Sequence, residues 1–140
     1  MTHVEVRPSV HLEALIMTRV ATCVCQQLRV SCEGDPESVS LCHCLACQRR
    51  TGSHCGLAAF FNAGHILTFG YTKLFTRSSD SGHSVTFHFC PQCGSTVYWE
   101  PQRKPNIIAV AVGAFADVTF PPPTRAFYRQ FQHPWCEFPF

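Results

Sequence analysis

Seven of the chain's ten cysteines fall into three tight clusters, and these restrict what the chain can fold around. They are Cys23-Val24-Cys25, Cys42-His43-Cys44-Leu45-Ala46-Cys47 and Cys90-Pro91-Gln92-Cys93-Gly94. A C-x-C pair and a C-x-x-C pair together supply four thiolates, which close a tetrahedral zinc site at ~2.3 Å per sulfur. A C-x-C-x-x-C run supplies three, so one position is left for water or a substrate. Closed sites hold folds together; open ones do chemistry. A secreted disulfide scaffold fits this spacing poorly. Cysteines two apart are badly placed to bridge each other, whereas both kinds of turn aim paired sulfurs at one point. Unconnected buried thiols, or a disulfide between the two paired segments, are the weaker alternatives.

A chain of 140 residues suits one domain with a modest core of its own. We expect an N-terminal extension over 1–17 and the zinc-binding domain over 18–140. The extension is either an over-called start or an arm that packs as a short helix or strand. A net charge of +2 gives no argument for nucleic acid, and no basic stripe with interleaved aromatics is present. Leu12 to Met17 is too short for a signal peptide, and no apolar run reaches the ~20 residues that span a bilayer. A reducing cytoplasm is the expected location.

From residue 18 onward the signals are those of strands. Val85, Phe87 and Phe89 alternate with Ser84, Thr86 and His88, leading into Cys90. Leu28, Val30 and Cys32 alternate with Gln27, Arg29 and Ser31. Further strands are expected at 57–61, 73–77, 96–99, 107–112 and 126–131. Turns are marked at 33–36, 62–64, 80–82 and 101–105. One short helix is expected over 45–51, ending at Gly52. Pro121 to Pro123 form an extended connector. The fold class is all-β, stapled by metal.

Cys42, Cys44 and Cys47 can share one metal. In an extended C-x-C both sulfurs point one way and His43 the other, which makes His43 a supporting or packing residue. The fourth position is open to water, Cys55, His54 or an incoming thiol. If Cys32 or Cys55 fills it, the run is a second structural staple. Three thiolates leave Zn²⁺ formally negative and a weak Lewis acid, so a soft thiol ligand is more natural there than hydrolytic chemistry.

With these residues the chain resembles the glutathione-dependent formaldehyde-activating enzyme family, also called the GFA or CENP-V domain family, from about Ala21 to Trp135. The landmarks are Cys23-Val24-Cys25 with Leu28-Arg29, Cys42 through Gly52, Phe89 through Gly94, Val112-Gly113 and Pro134-Trp135. The resemblance implies an Mss4-like, zinc-bearing all-β fold. It implies that Cys23, Cys25, Cys90 and Cys93 ligate a structural zinc, and Cys42, Cys44 and Cys47 a catalytic one. It also implies a carbon–sulfur lyase that joins formaldehyde to glutathione, giving S-hydroxymethylglutathione. The chain departs from the pattern at Gln26, where the family usually has glycine. Cys32, Cys55 and the tail from Cys136 are further departures.

Around the open site, Arg49 and Arg50 are the candidate substrate-binding residues, one of them pairing with a glutathione carboxylate. A solvated helix face is their alternative role. Thr51 to Ser53 would end the helix rather than bind an anion, and Arg77 to Ser79 would be a polar loop or part of the pocket. Trp135 would be core, and His54, His83 and His88 surface or packing residues. The expected function is a zinc-dependent carbon–sulfur lyase acting on a thiol adduct. The other reading is a non-catalytic zinc scaffold that binds a protein or nucleic acid.

Overall fold

A computed structural model describes residues 16–137, so most of the expected N-terminal extension lies outside the described residues. Ten strands and one helix follow in order: β1 (Thr18–Thr22), β2 (Arg29–Glu33), β3 (Ser38–Cys42), α1 (Leu45–Thr51), β4 (Gly56–Asn62), β5 (Ile66–Phe69), β6 (Lys73–Ser78), β7 (Ser84–Phe89), β8 (Thr96–Pro101), β9 (Ile107–Ala111) and β10 (Arg125–Phe127). Short 3₁₀ turns occupy Ala63–His65, Val112–Phe115 and Arg129–Phe131. The all-β expectation with one short helix holds. No helix among the described residues is long and apolar enough to cross a membrane.

Three strands form a small sheet in the order β1-β2-β5, and seven form a larger one in the order β10-β3-β4-β9-β8-β7-β6. All pairings are antiparallel except β10 with β3. Alternation along the strands gives the large sheet two different faces. On β4, Ala59 and Phe61 turn one way and Ala58 and Phe60 the other; on β9, Ile108 and Val110 oppose Ala109 and Ala111. The first set packs with Ala21, Leu28, Val30 and Cys32 from the small-sheet side to make the main core. Phe61, Leu28 and Val30 are at most 1% exposed, and burying a side chain of that size contributes about 2 kcal/mol. The second set joins Phe87, Trp99 and Val85 on the opposite face.

The helix matches its expected bounds because both caps are local. The Cys44 sulfur accepts a hydrogen bond from Cys47 N–H at 3.3 Å, and Gly52 closes the last turn in the left-handed region at φ 66°. Three strands carried no clear sequence signal. β5 is exposed after its first residue, β3 buries the polar Ser40, and β1 lies at the sheet edge. The strand expected over 126–131 stops at Phe127, because Tyr128 turns into the left-handed region at φ 56° and begins a 3₁₀ turn. Trp135 is not core: it is 70% exposed, its ring 5.3 Å from His54 and 5.4 Å from His133.

Candidate functional site

The first sulfur group joins two turns far apart in sequence. Cys23 and Cys25 lie in the turn from β1 to β2, and Cys90 and Cys93 in the turn from β7 to β8. Their four sulfurs lie within 4.8 Å of one another, so together they could hold a metal ion. Hydrogen-bond donors already point at this group: Leu28 N–H at Cys23 Sγ over 3.3 Å, and Gln27 Nε2 at Cys90 Sγ over 3.1 Å. Donors aimed at sulfur stabilise thiolates over thiols. The Cys93 thiol is held down at about 5, first by Ser95 Oγ and then by the Cys25 backbone amide. Gln27 also ties this turn to the β5–β6 connection, donating to Tyr71 O at 2.7 Å and accepting from Tyr71 N–H at 2.9 Å. Gln26, which stands where the resembled family usually has glycine, takes a left-handed φ of 66°. The turn therefore keeps its shape at a cost in backbone strain.

The second group gathers on the other face of the large sheet. Cys42 ends β3, Cys44 caps α1 and Cys47 lies in its first turn. Their sulfurs also lie within 4.8 Å of one another, and among the described residues no histidine, carboxylate or fourth cysteine joins them. Cys32 lies in the inter-sheet core on β2. Cys55 is buried beside His54, 3.9 Å from its Nε2. Neither closes the cluster. His43 is fully buried and stands outside it, while its backbone amide donates to Phe127 O at 2.9 Å and its carbonyl accepts from Gln48 Nε2 at 2.8 Å.

Charge within the second group is shared unevenly. The Cys47 thiol is held down at about 5, first by hydrogen bonding to Cys42 and then, against burial, by Cys44 and the Arg50 guanidinium. Cys42 is pushed up, first as the partner that keeps the proton, and Cys44 is pushed up by burial. Four clustered thiols in one place and three in the other are soft donor sets that fit zinc: the first as a closed site, the second with a position to spare.

Arg50 reaches this cluster because Gly56 lies opposite Cys42 on β4. A Cβ at Gly56 would come within 2.7 Å of an Arg50 terminal nitrogen and 3.2 Å of Cys47 Cβ. The guanidinium lies 4.4 Å from the Trp99 ring centre and 5.3 Å from that of Phe87. Arg77, from β6, lies 5.4 Å from the same Phe87 ring. Sequence reasoning left Arg77 between loop and pocket; the strand pairing brings it beside Arg50. Arg49 is exposed on the helix and reaches only the rim.

Two adjoining cavities result. A smaller one of about 200 Å³ is lined by Cys42, Cys47, Arg50 and Arg77, and is hollow because Ser40, Gly56 and Ala58 are small. A larger one of about 490 Å³ is lined by Ala46, the three arginines, Phe75, Phe87 and Phe89. Among the remaining residues considered, Gly52 ends the helix, and His88 pairs with Glu100 at 2.8 Å while stacking on Tyr98.

A family model described as glutathione-dependent formaldehyde-activating enzyme matches residues 18–131. Among solved structures, the chain is similar to the crystal structure of a Rhodobacter sphaeroides protein. The two share 18% identity and a TM-score of 0.55, over 77% of this chain and 98% of that one. At that identity the likeness is one of fold. No curated protein matches the chain.

Proposed function

Starting from the fact that this chain belongs to the glutathione-dependent formaldehyde-activating enzyme family, we propose that it is a zinc-dependent carbon–sulfur lyase acting on a glutathione-linked thiol adduct. In this reading Cys23, Cys25, Cys90 and Cys93 hold a structural zinc, Cys42, Cys44 and Cys47 hold a catalytic one, and the protein works in the cytoplasm as a domain over 18–140. The observation that carries the reading is the contrast between the two groups: four gathered sulfurs in one, three in the other, and among the described residues it is the group of three that borders an arginine-lined cavity, through Cys42 and Cys47.

The reaction joins a thiol to an aldehyde. The S–C bond forms, the carbonyl π bond breaks, and the thiol proton ends on the new hydroxyl oxygen. When bound, zinc supplies a soft Lewis acid that favours the thiolate form of the substrate sulfur. The chain's own groups do the rest. Arg50 and Arg77 line the cavity with fixed positive charge and attract a carboxylate. The Phe87 and Trp99 rings pack against the Arg50 guanidinium, 5.3 and 4.4 Å from ring centre to Cζ, and help fix its position. Cys47 N–H orients Cys44 Sγ from behind.

Metal analysis and product formation test this together. The purified protein should contain two zinc ions per chain and Cys44→Ser one, with an unchanged β-sheet spectrum. ¹³C-labelled formaldehyde with glutathione should give S-hydroxymethylglutathione faster with the protein than without it, and Cys44→Ser should remove the acceleration. Two zinc ions retained in the variant, or no acceleration by the parent protein with any pairing of thiol and aldehyde, aromatic aldehydes included, would instead favour the non-catalytic scaffold.

A further inference from the structure

We propose that the adduct this site accepts carries a bulky aryl or branched apolar group on the carbon attached to sulfur. On this proposal a carboxylate of the thiol half sits between Arg50 and Arg77. The inference rests on the proposed thiol-adduct reading of the same site and concerns which adduct it takes.

The two cavities share Arg50, Arg77 and Phe87 as walls, so they adjoin, and Cys42 and Cys47 line the smaller of them. Arg50 lies beside the Cys47 sulfur, and among the described residues neither guanidinium has a carboxylate partner. The ion pairs among the described residues are Arg19 with Asp35 and His88 with Glu100, and no Asp or Glu lines either cavity. Two half-buried arginines against one ring repel each other, and an anion between them relieves that repulsion. A planar carboxylate is the anion that guanidinium groups bind in a two-pronged geometry.

The larger cavity has a different character. Beyond the arginines its walls are mostly apolar, Phe75, Phe87, Phe89 and Ala46 with Gly94 and Thr96, and Phe75 is 58% exposed. A one-carbon hydroxymethyl group would leave these walls facing water. An aryl group would cover them and stack on the rings. The cysteines line the smaller cavity, Phe75 and Phe89 the larger, and the arginine pair both, which suits an adduct with its sulfur in the first, its carboxylate at the arginines and its apolar group in the second.

Calorimetric titration of the zinc-loaded protein with two glutathione conjugates tests the inference. S-benzylglutathione should bind at least about tenfold more tightly than S-methylglutathione, the increment expected from one aromatic contact and its buried area. Phe75→Ala should remove most of that increment and leave S-methylglutathione unchanged. Arg77→Gln should weaken both conjugates by a similar factor, about tenfold. Equal binding of the two conjugates, or an increment that survives Phe75→Ala, overturns the inference while the thiol-adduct reading stands. Binding of neither conjugate overturns both.

Discussion

Gln27 is the side chain through which the first sulfur group should be most sensitive to a single change. Its amide makes three contacts: donation to Tyr71 O at 2.7 Å, acceptance from Tyr71 N–H at 2.9 Å, and donation to Cys90 Sγ at 3.1 Å. The two bonds to Tyr71 are solvent-exposed and neutral, and contribute about 0.5 kcal/mol each; the bond to a thiolate contributes about 2 kcal/mol. Gln27→Ala should therefore lower the stability of the zinc-loaded protein by about 3 kcal/mol, or roughly 10 °C in melting temperature. Urea unfolding at fixed zinc concentration measures the first quantity and calorimetry the second. Gln27→Glu keeps the acceptor for Tyr71 N–H, loses both donors and sets a carboxylate against Cys90. It should release zinc to a chelator faster than Gln27→Ala does. A loss below about 0.5 kcal/mol for Gln27→Ala, with chelator release unchanged in both variants, would refute the idea that this amide holds the turn to the metal group.

Gly56→Ala should displace the Arg50 guanidinium, because its new Cβ would lie 2.7 Å from a terminal nitrogen. In metal-free protein the thiolate absorbance midpoint of Cys47, now at about 5, should move up as the arginine withdraws; an unmoved midpoint counts against the contact. Gln26→Gly should stabilise the protein by about 1 kcal/mol, since glycine takes a left-handed φ without strain. Urea unfolding that shows a loss instead would mean the Gln26 side chain contributes more than its backbone costs. The Cys32 thiol is pushed up to about 12, first by burial, with Arg19 opposing. The folded chain thus keeps this proton while the unfolded chain gives it up near 9.0. Its contribution to stability is whole below that pH and is lost as pH rises towards 12. Cys32→Ala should make stability fall less steeply over this window, by one proton; an unchanged slope would exclude Cys32 as its source.

What the residues determine locally, they determined well. The three cysteine clusters depend only on spacing within a few residues, so both sulfur groups could be read before any fold was known. The helix from Leu45 to Thr51 has the same character, with a cap at Cys44 and a stop at Gly52. β7 was legible because Val85, Phe87 and Phe89 alternate with polar neighbours. β5 was not, because only Ile66 is buried, and β3 was not, because Ser40 is buried despite being polar. The cavity belongs to the tertiary structure. Arg77 reaches Phe87 only through the pairing of β6 with β7, and Gly56 opens the way for Arg50 only because β4 lies opposite Cys42. The register shift between His88 and Phe89 leaves Val97 without a paired position, so Val97 and Tyr98 both join the main core and Trp99 turns to the arginine face. Ligand spacing is a property of neighbours along the chain; a pocket wall is a property of strands brought together from distant segments, and no short stretch of residues encodes that.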